Sequence, residues 1–247
     1  MNIEDMLGSL RTEMPDTTTE AIRLGTGLVD GFEVFESPIG DVAVGFNIRG
    51  VSFVELAARF DAGEPEPRAI EATPPKGWEA KIKRAIERGR PGDLPVDLTG
   101  VTAFQRSVLG VAATIPFGQV RPYGWLADRI GNRGAVRAVG STMAKNPVPL
   151  IIPCHRVVRS DGKIGNYSLG GAHNKTDLLD HEGVDLDRLA SLAARNIRFI
   201  GSDTTGIFCL PTCSHARRIS DTHRVELKSA TAAEAAGFRA CKVCEPA

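Results

Sequence analysis

Residues 123–145 read Tyr-Gly-Trp-Leu-Ala-Asp-Arg-Ile-Gly-Asn-Arg-Gly-Ala-Val-Arg-Ala-Val-Gly-Ser-Thr-Met-Ala-Lys. Their pattern predicts a helix over 123–130, a turn at Gly131 and Asn132, and a second helix over about 134–145. Two short helices joined by a tight turn form a helix-turn-helix motif, which often binds DNA. Two ordinary core helices are the alternative.

The second of these helices carries small residues where a major-groove reader carries long polar side chains. Ala135, Ala138 and Gly140 are the examples. Small side chains let the backbone approach the floor of a groove, so the pattern favours minor-groove docking. Residues 104–175 also contain ten basic and two acidic side chains, a balance typical of a surface that meets a polyanion. An ordinary solvated face is the alternative.

A solitary cysteine follows, in the stretch Leu-Ile-Ile-Pro-Cys-His-Arg-Val-Val at 150–158. The thiolate is the nucleophilic form of cysteine, and a neighbouring base or positive charge favours it. Because adjacent residues of an extended chain point to opposite faces, we expect His155 to act on Cys154 through a water molecule. A buried structural cysteine is the alternative.

The composition places these motifs in a globular protein. The chain has 247 residues, of which 42% are hydrophobic and 24% charged, and its formal net charge is zero. This excludes disordered and fibrous classes and allows one large domain or two to three small ones. No apolar run approaches a membrane span, and the acidic start lacks the pattern of a secretory signal. We therefore expect a cytoplasmic protein, associated with the nucleoid, with no membrane partner.

The other four cysteines lie in two close pairs near the end of the sequence, Cys209-x3-Cys213 and Cys241-x2-Cys244. This spacing predicts one tetrahedral thiolate zinc site, and a reducing compartment makes zinc a better interpretation than two disulfides. His215 and His223 are alternative ligands, but four thiols already satisfy zinc. We expect no organic cofactor.

The sequence before the helix-turn-helix motif is rich in β-forming residues. The runs in 31–56 are broken by turn residues and predict an antiparallel meander. A Glu- and Pro-rich loop is predicted over 63–75, and a helix over 78–88 that ends before Gly89. The predicted fold class is α/β (α+β), with a small N-terminal sheet domain (1–98), a helical domain (99–190) and a small C-terminal zinc domain (197–247).

Several short motifs between 31 and 184 occur together in the order and near-spacing of one known family. They are Arg137-Ala138-Val139-Gly140, Asn146-Pro147, Pro153-Cys154-His155-Arg156-Val157, Gly165-Asn166-Tyr167-Ser168, Gly170-Gly171 and Leu178-Leu179-Asp180-His181-Glu182-Gly183. This stretch resembles the O6-alkylguanine-DNA alkyltransferases. The resemblance implies a DNA-repair enzyme that moves an alkyl group from the O6 of guanine, and by extension the O4 of thymine, to its own cysteine. Such a methylated-DNA–[protein]-cysteine S-methyltransferase acts once per molecule.

The resemblance also implies the catalytic roles. Cys154 matches the acceptor thiol, and Glu182 orients His155, which takes the proton of Cys154 through water. Asn146 matches the asparagine that braces the active-site turn. Tyr123 matches the tyrosine that protonates the guanine ring as the base departs.

Further residues match the family's DNA contacts. Ser168, with the backbone of Tyr167, corresponds to the loop that binds the O6 side, and the Val157 carbonyl corresponds to the acceptor for the exocyclic amine. Arg137 matches the side chain that fills the gap left by the flipped nucleotide. The implied DNA-binding set is Arg137, Val157, Tyr167, Ser168, Ala135, Ala138 and Gly140, and the implied partner is alkylated double-stranded DNA, bound by a monomer.

Two departures from the family pattern are visible. Arg121 and Pro122 stand before Tyr123, where the family often has a small polar residue. One extra residue lies between Ser168 and Glu182, which affects the pocket wall.

Residues 197–246 resemble the metal-binding domain of Ada-type alkylation-response proteins, through Thr-Thr-Gly-Ile-Phe-Cys at 204–209 and Gly-Phe-Arg-Ala-Cys-Lys-Val-Cys at 237–244. The resemblance implies that Cys209 is both a zinc ligand and a second methyl acceptor, from a backbone methylphosphotriester. A purely structural zinc is the alternative for this domain. For the chain as a whole, the alternatives are a lesion-binding protein without repair activity and a methylation-triggered regulator.

Overall fold

The structure is a computed structural model that describes residues 22–61, 69–161 and 163–246. The predicted meander is present as β1 (Asp30–Phe35), β2 (Val42–Asn47) and β3 (Gly50–Leu56), paired antiparallel in sequence order. A fourth strand, β4 (Ala69–Glu71), pairs parallel with β1 and gives the sheet order β3-β2-β1-β4. This strand corrects the prediction of a loop over 63–75, because three residues are too few for a periodic signal. The part of that loop at 62–68 lies outside the described residues.

Two helices accompany this sheet, α1 (Ala57–Asp61) and α2 (Trp78–Arg88). Helix α2 buries Ile82, Ala85 and Ile86 and ends at Gly89, as predicted, in the left-handed conformation at φ 56°. A side chain at Gly89 would begin 2.3 Å from the guanidinium of Arg156. A glycine is therefore required here both by the helix end and by an arginine that reaches in from the active-site turn.

The middle of the chain carries the predicted helix-turn-helix motif. The elements of this part of the chain are α3 (Ala103–Ala112), β5 (Arg121–Pro122), α4 (Tyr123–Arg129), a 3₁₀ turn (Arg133–Ala135), α5 (Val136–Ala144), β6 (Val157–Val158), α6 (Gly171–His181) and α7 (Leu186–Ala194). The motif itself is α4, the 3₁₀ turn and α5. Helix α3 begins with a capping box between Thr102 and Gln105. Strands β5 and β6 pair in parallel, with Arg121 opposite Val157. This short ladder joins the start of α4 to the segment that follows Cys154.

The C-terminal module is a second small sheet with short helices. It consists of β7 (Phe199–Ser202), β8 (Ile207–Cys209), α8 (Ser214–Arg217), a 3₁₀ turn (Asp221–His223), β9 (Arg224–Leu227), α9 (Ala230–Ala235) and β10 (Arg239–Ala240), in the sheet order β10-β8-β7-β9. Its buried side chains, Phe199 and Phe208 among them, belong to the same apolar core as Trp125. Across the described ranges, none of the helices combines the length and the apolar character needed to cross a bilayer.

Candidate active site and metal centre

Cys154 lies in a tight buried turn between α5 and β6. Residues Cys154–Arg156 form a 3₁₀ turn, in which Cys154 N donates to Ile152 O at 2.8 Å and Arg156 N to Pro153 O at 3.0 Å. The sequence-based expectation of an extended chain at this point is wrong, because a three-residue turn leaves no periodic pattern to read. The turn directs the side chains of His155 and Arg156 to Glu182 and that of Cys154 to Asn146, and the described structure holds no direct hydrogen bond between Cys154 and His155.

Asn146 holds this turn from the end of α5. Its side-chain amide donates to Ile152 O at 2.8 Å and to the Sγ of Cys154 at 3.2 Å, and its Oδ1 accepts from Val148 N at 3.2 Å. Between them, Leu150 adopts a left-handed backbone conformation at φ 71° although it is fully buried. Such a conformation costs free energy and persists only where the surroundings enforce it.

The carboxylate of Glu182 is the centre of a buried network. It accepts from His155 Nε2 at 2.8 Å, from the guanidinium of Arg156 at 2.8 to 3.0 Å, and from the backbone N–H of Gly118 at 2.9 Å. Arg156 is fully buried and also donates to Arg88 O, Gly89 O and Ile115 O. One arginine therefore ties Glu182 to the end of α2 in the N-terminal domain.

This network sets the protonation of His155. Burial lowers the pKa of His155, while its hydrogen bond to Glu182 opposes that shift, so the ring is neutral near pH 7. A neutral ring that donates Nε2–H to Glu182 carries its lone pair on Nδ1. That atom is buried and has no hydrogen-bond partner among the described residues. Nδ1 is thus available as a proton acceptor beside Cys154.

The thiol of Cys154 needs such an acceptor. Burial raises its pKa, and the opposing contributions of Asn146, Lys175 and Ser168 do not overcome the effect of burial. The thiol is therefore protonated at neutral pH in the resting protein. A base must remove its proton before it can attack as a thiolate.

Lys175 is a site residue that the sequence analysis missed. It is fully buried on α6, its Nζ donates to Val157 O at 2.6 Å, and burial lowers its pKa to about 8, with Cys154 opposing the shift. A sequence signal existed, because Lys175 shares the buried face of α6 with Leu178 and Leu179. A lysine on an apolar face is rarely buried unless its charge has a use. The Val157 carbonyl keeps a second lone pair for another donor.

Several buried polar atoms of the residues around Cys154 lack hydrogen-bond partners among the described residues. Tyr167 Oη and Ser168 Oγ are buried and make no hydrogen bond within the described structure, like His155 Nδ1. Tyr123 is half-buried, and burial raises the pKa of its hydroxyl, to which Cys154 adds, so it stays protonated at neutral pH. Buried polar atoms normally have partners, so this arrangement indicates a polar ligand or ordered water.

Helix α5 and the 3₁₀ turn before it together present the small-residue face that the sequence predicts. Arg137 and Ala138 are exposed, and Ala135 and Gly140 are half-exposed. A side chain at Gly140 would begin 4.0 Å from the ring of Tyr123. Arg137, Gly140 and Tyr123 line the same groove, a space of about 2210 Å³ that continues along the C-terminal module.

The four C-terminal cysteines form one cluster. The Sγ atoms of Cys209, Cys213, Cys241 and Cys244 all lie within 4.8 Å of one another, and all four residues are buried. Tetrahedral zinc with sulfur at about 2.3 Å requires sulfur–sulfur separations of roughly 3.8 Å. Backbone N–H groups of Leu210 and Val243 donate to two of the sulfurs at 3.4 Å, as is suitable for thiolates. The donor set therefore fits Zn²⁺.

The histidine alternatives do not join this cluster. His215 is exposed, with Nδ1 at 3.8 Å from Cys241 Sγ, and His223 is paired with Asp203 at 2.9 Å. Four thiols suffice without either of them.

Two family profiles match the sequence. The first, "6-O-methylguanine DNA methyltransferase, DNA binding domain", covers residues 103–184, and the second, "Metal binding domain of Ada", covers residues 191–247.

Curated relatives share the name methylated-DNA–protein-cysteine methyltransferase. The Mycobacterium bovis protein is 47% identical over 156 residues, which are 61% of this chain and 91% of that relative. The mouse protein is 34% identical over 192 residues, 76% of this chain and 83% of that relative. The rat protein is 48% identical over 101 residues, 40% of this chain, and the match spans about half of that relative, 47%.

Solved structures give a consistent result. Mycobacterium tuberculosis OGT in complex with DNA superposes with a TM-score of 0.52 at 30% identity, covering 65% of this chain and 98% of that one. The O6-methylguanine-DNA methyltransferase of the archaeon Pyrococcus kodakaraensis has a TM-score of 0.50 at 29% identity, covering 63% of this chain and 100% of that one.

Proposed function

Because this chain belongs to the methylated-DNA–protein-cysteine methyltransferases, we propose that it repairs alkylated double-stranded DNA by moving the O6-alkyl group of guanine to Cys154. The observation that carries the assignment is the arrangement of Cys154, neutral His155 and Glu182. A buried thiol lies beside a base whose free Nδ1 is fixed by a buried carboxylate on the opposite nitrogen.

In the proposed transfer, the proton of Cys154 is removed before its sulfur attacks. His155 Nδ1 takes the proton of Cys154 through a water molecule, and the thiolate sulfur attacks the alkyl carbon. The bond between that carbon and O6 breaks, and its electron pair stays with the guanine. The Tyr123 hydroxyl donates its proton to the guanine ring, so the leaving group is neutral guanine. The product is an S-alkylcysteine, which explains a single turnover.

Access to the O6 atom requires the nucleotide to leave the base stack. Arg137 lies exposed on α5, beside Gly140 and the Tyr123 ring, where a side chain can fill the gap left by a flipped nucleotide. Ser168 Oγ, with the backbone of Tyr167, can hydrogen-bond the O6 side of the extruded base. The positive charge of Lys175 supports the thiolate form of Cys154.

An intact-mass measurement tests the principal assignment. After incubation with duplex DNA that contains one O6-methylguanine, we expect the protein mass to increase by one methyl group, and peptide mapping to place it on Cys154. A protein that binds the same duplex tightly while its mass does not change would instead be a lesion-binding protein without repair activity.

A second acceptor is proposed at Cys209, on the support of the Ada metal-binding match and the four-thiol cluster. Zinc, when bound, keeps the four thiols ionised at neutral pH. The Cys209 sulfur attacks the methyl carbon of a methylphosphotriester, and the phosphate oxygen leaves with the bond's electron pair as an ordinary phosphodiester anion. Cys209 is only 1% exposed, so DNA must approach its end of β8 closely.

The Cys154→Ala variant isolates this second reaction. We expect it to gain one methyl group, mapped to the peptide with Cys209, from DNA that carries only methylphosphotriesters. As the control, the same variant is incubated with a duplex whose phosphate backbone carries no methyl group, and it should gain no methyl group. If the zinc-loaded protein stays unmethylated, the metal site is structural and Cys209 is only a ligand.

A further inference from the structure

Arg121 is a buried cation that forms no ion pair with a carboxylate among the described residues. Its side chain is 2% exposed, and its guanidinium donates to Val120 O at 2.9 Å and Gln119 Oε1 at 2.8 Å. Its Nε has no hydrogen-bond partner among the described residues. Both acceptors are neutral, and burying a charge is costly unless an opposite charge offsets it. The fold therefore needs an anion near Arg121.

The thiols of the C-terminal cluster are the candidates, because Trp125, whose ring centre lies 5.4 Å from the Arg121 guanidinium, donates to the backbone of Cys244. Burial lowers the pKa of Arg121, and the electrostatic effects of Cys244, Cys213, Cys241 and Cys209 oppose that shift. Four thiolates around one divalent cation leave excess negative charge. That charge lies in an otherwise apolar part of the core, where a cation interacts with it more strongly than in water.

The residues around Arg121 hold the chain next to the cluster. Trp125 Nε1 donates to the carbonyls of Cys244 and Glu245, both at 3.0 Å. Val120 N donates to Thr212 Oγ1 at 3.0 Å, directly before Cys213. These contacts fix both cysteine pairs against residues 119–129, which we call the docking segment.

Contacts with β6 and with Trp125 fix the position of Arg121. It lies in β5, opposite Val157 of β6, and two residues before Tyr123. Its guanidinium also lies 5.4 Å from the centre of the Trp125 ring. The O6-alkylguanine-DNA alkyltransferases often have a small polar residue at this place. Contact with the C-terminal module is a physical reason for an arginine in this chain.

We infer that Arg121 is the counter-ion of the zinc tetrathiolate, so that binding of zinc and docking of the C-terminal module on the docking segment stabilise each other. Without zinc, no bound ion would hold the four sulfurs together next to the segment that carries Arg121. Without Arg121, the excess charge of the metal site would be buried uncompensated. Such linkage is reciprocal: the factor by which bound zinc strengthens docking of the module is also the factor by which undocking weakens the affinity for zinc.

The test is the rate at which the full-length protein releases zinc to an excess of a chromogenic chelator. Arg121→Gln should release zinc about thirtyfold faster or more, the order of effect expected when one partner of a buried charge pair is removed. Arg121→Lys, which keeps the charge, should restore most of the retention. Arg159→Gln is the matched control, because Arg159 is exposed, pairs with Asp161 at 2.7 Å and lies outside the docking segment. It should release zinc at close to the wild-type rate.

Equal release rates for wild type, Arg121→Gln and Arg159→Gln would overturn the inference. So would a failure of Arg121→Lys to differ from Arg121→Gln, since the charge would then be irrelevant. A second measurement needs no change at Arg121: in a Trp78→Phe variant, which leaves Trp125 as the only tryptophan, zinc removal should shift its fluorescence emission to longer wavelength as the module undocks. An unchanged spectrum after complete zinc removal would also contradict the proposal. None of these readouts depends on alkyl transfer.

Discussion

Replacing Cys154 with Ala is expected to abolish transfer from O6-methylguanine completely, since it removes the proposed acceptor thiol next to His155. The remaining cysteines belong to the metal cluster in a separate module. Removing one buried sulfur leaves a small cavity, and the cost in stability should be about 1 kcal/mol. The measurement is the intact mass after incubation with duplex DNA that contains O6-methylguanine, followed over time against wild type.

The same variant supplies its own control. In the proposed function, binding to undamaged duplex depends on Arg137 and the exposed face of α5, which the substitution does not touch. Its affinity should therefore stay within about twofold of wild type at matched salt concentration, because phosphate contacts dominate that affinity. Transfer of the O6-methyl group to another residue of the variant would refute Cys154 as the acceptor. Loss of both transfer and duplex binding would point to misfolding, which a thermal melt detects.

Features that depend on local pattern could be predicted from the sequence. The helix-turn-helix, the end of α2 at Gly89 and the meander of β1 to β3 each follow from periodicity and turn residues within a short window. The zinc cluster follows from two close cysteine pairs, because each pair already places two sulfurs on one turn. Strand β4 and the turn at Cys154–Arg156 are too short to leave such a pattern.

Features that depend on distant partners could not be predicted in this way. Arg156 donates hydrogen bonds to Glu182, 26 residues away in sequence, and to Arg88 O, 68 residues away. Lys175 and Arg121 are ordinary surface residue types until the fold buries them, and the acceptor of Lys175, Val157 O, comes from another element. A sequence shows a charge but not the dielectric around it. The buried cations of this site therefore had to be found in three dimensions.

The second large effect is expected at Glu182, the carboxylate that joins His155 and Arg156. Burial raises the pKa of Glu182, but hydrogen bonds and charge from His155 and Arg156 outweigh burial and lower it to about 2. A carboxyl with a lowered pKa stabilises the fold above its unfolded pKa, near 4.5, and this contribution is lost as the pH falls from about 4.5 to 2. The protonated group no longer balances the buried charge of Arg156.

Glu182→Gln should therefore reduce the free energy of unfolding at pH 7 by roughly 3 to 5 kcal/mol, since it leaves the Arg156 guanidinium buried without its anion. O6-methyl transfer should slow by about a hundredfold or more, because the base His155 loses the group that orients it. Urea unfolding at a series of pH values gives the first quantity, and single-turnover transfer gives the second. Glu79→Gln is the matched control: Glu79 is exposed and pairs with Lys83 at 2.6 Å within α2, so both quantities should stay close to wild type. The difference in stability between wild type and Glu182→Gln should shrink as the pH falls from 4.5 to 2, whereas a difference that stays constant over that range would show that the loss comes from packing and not from the carboxylate charge.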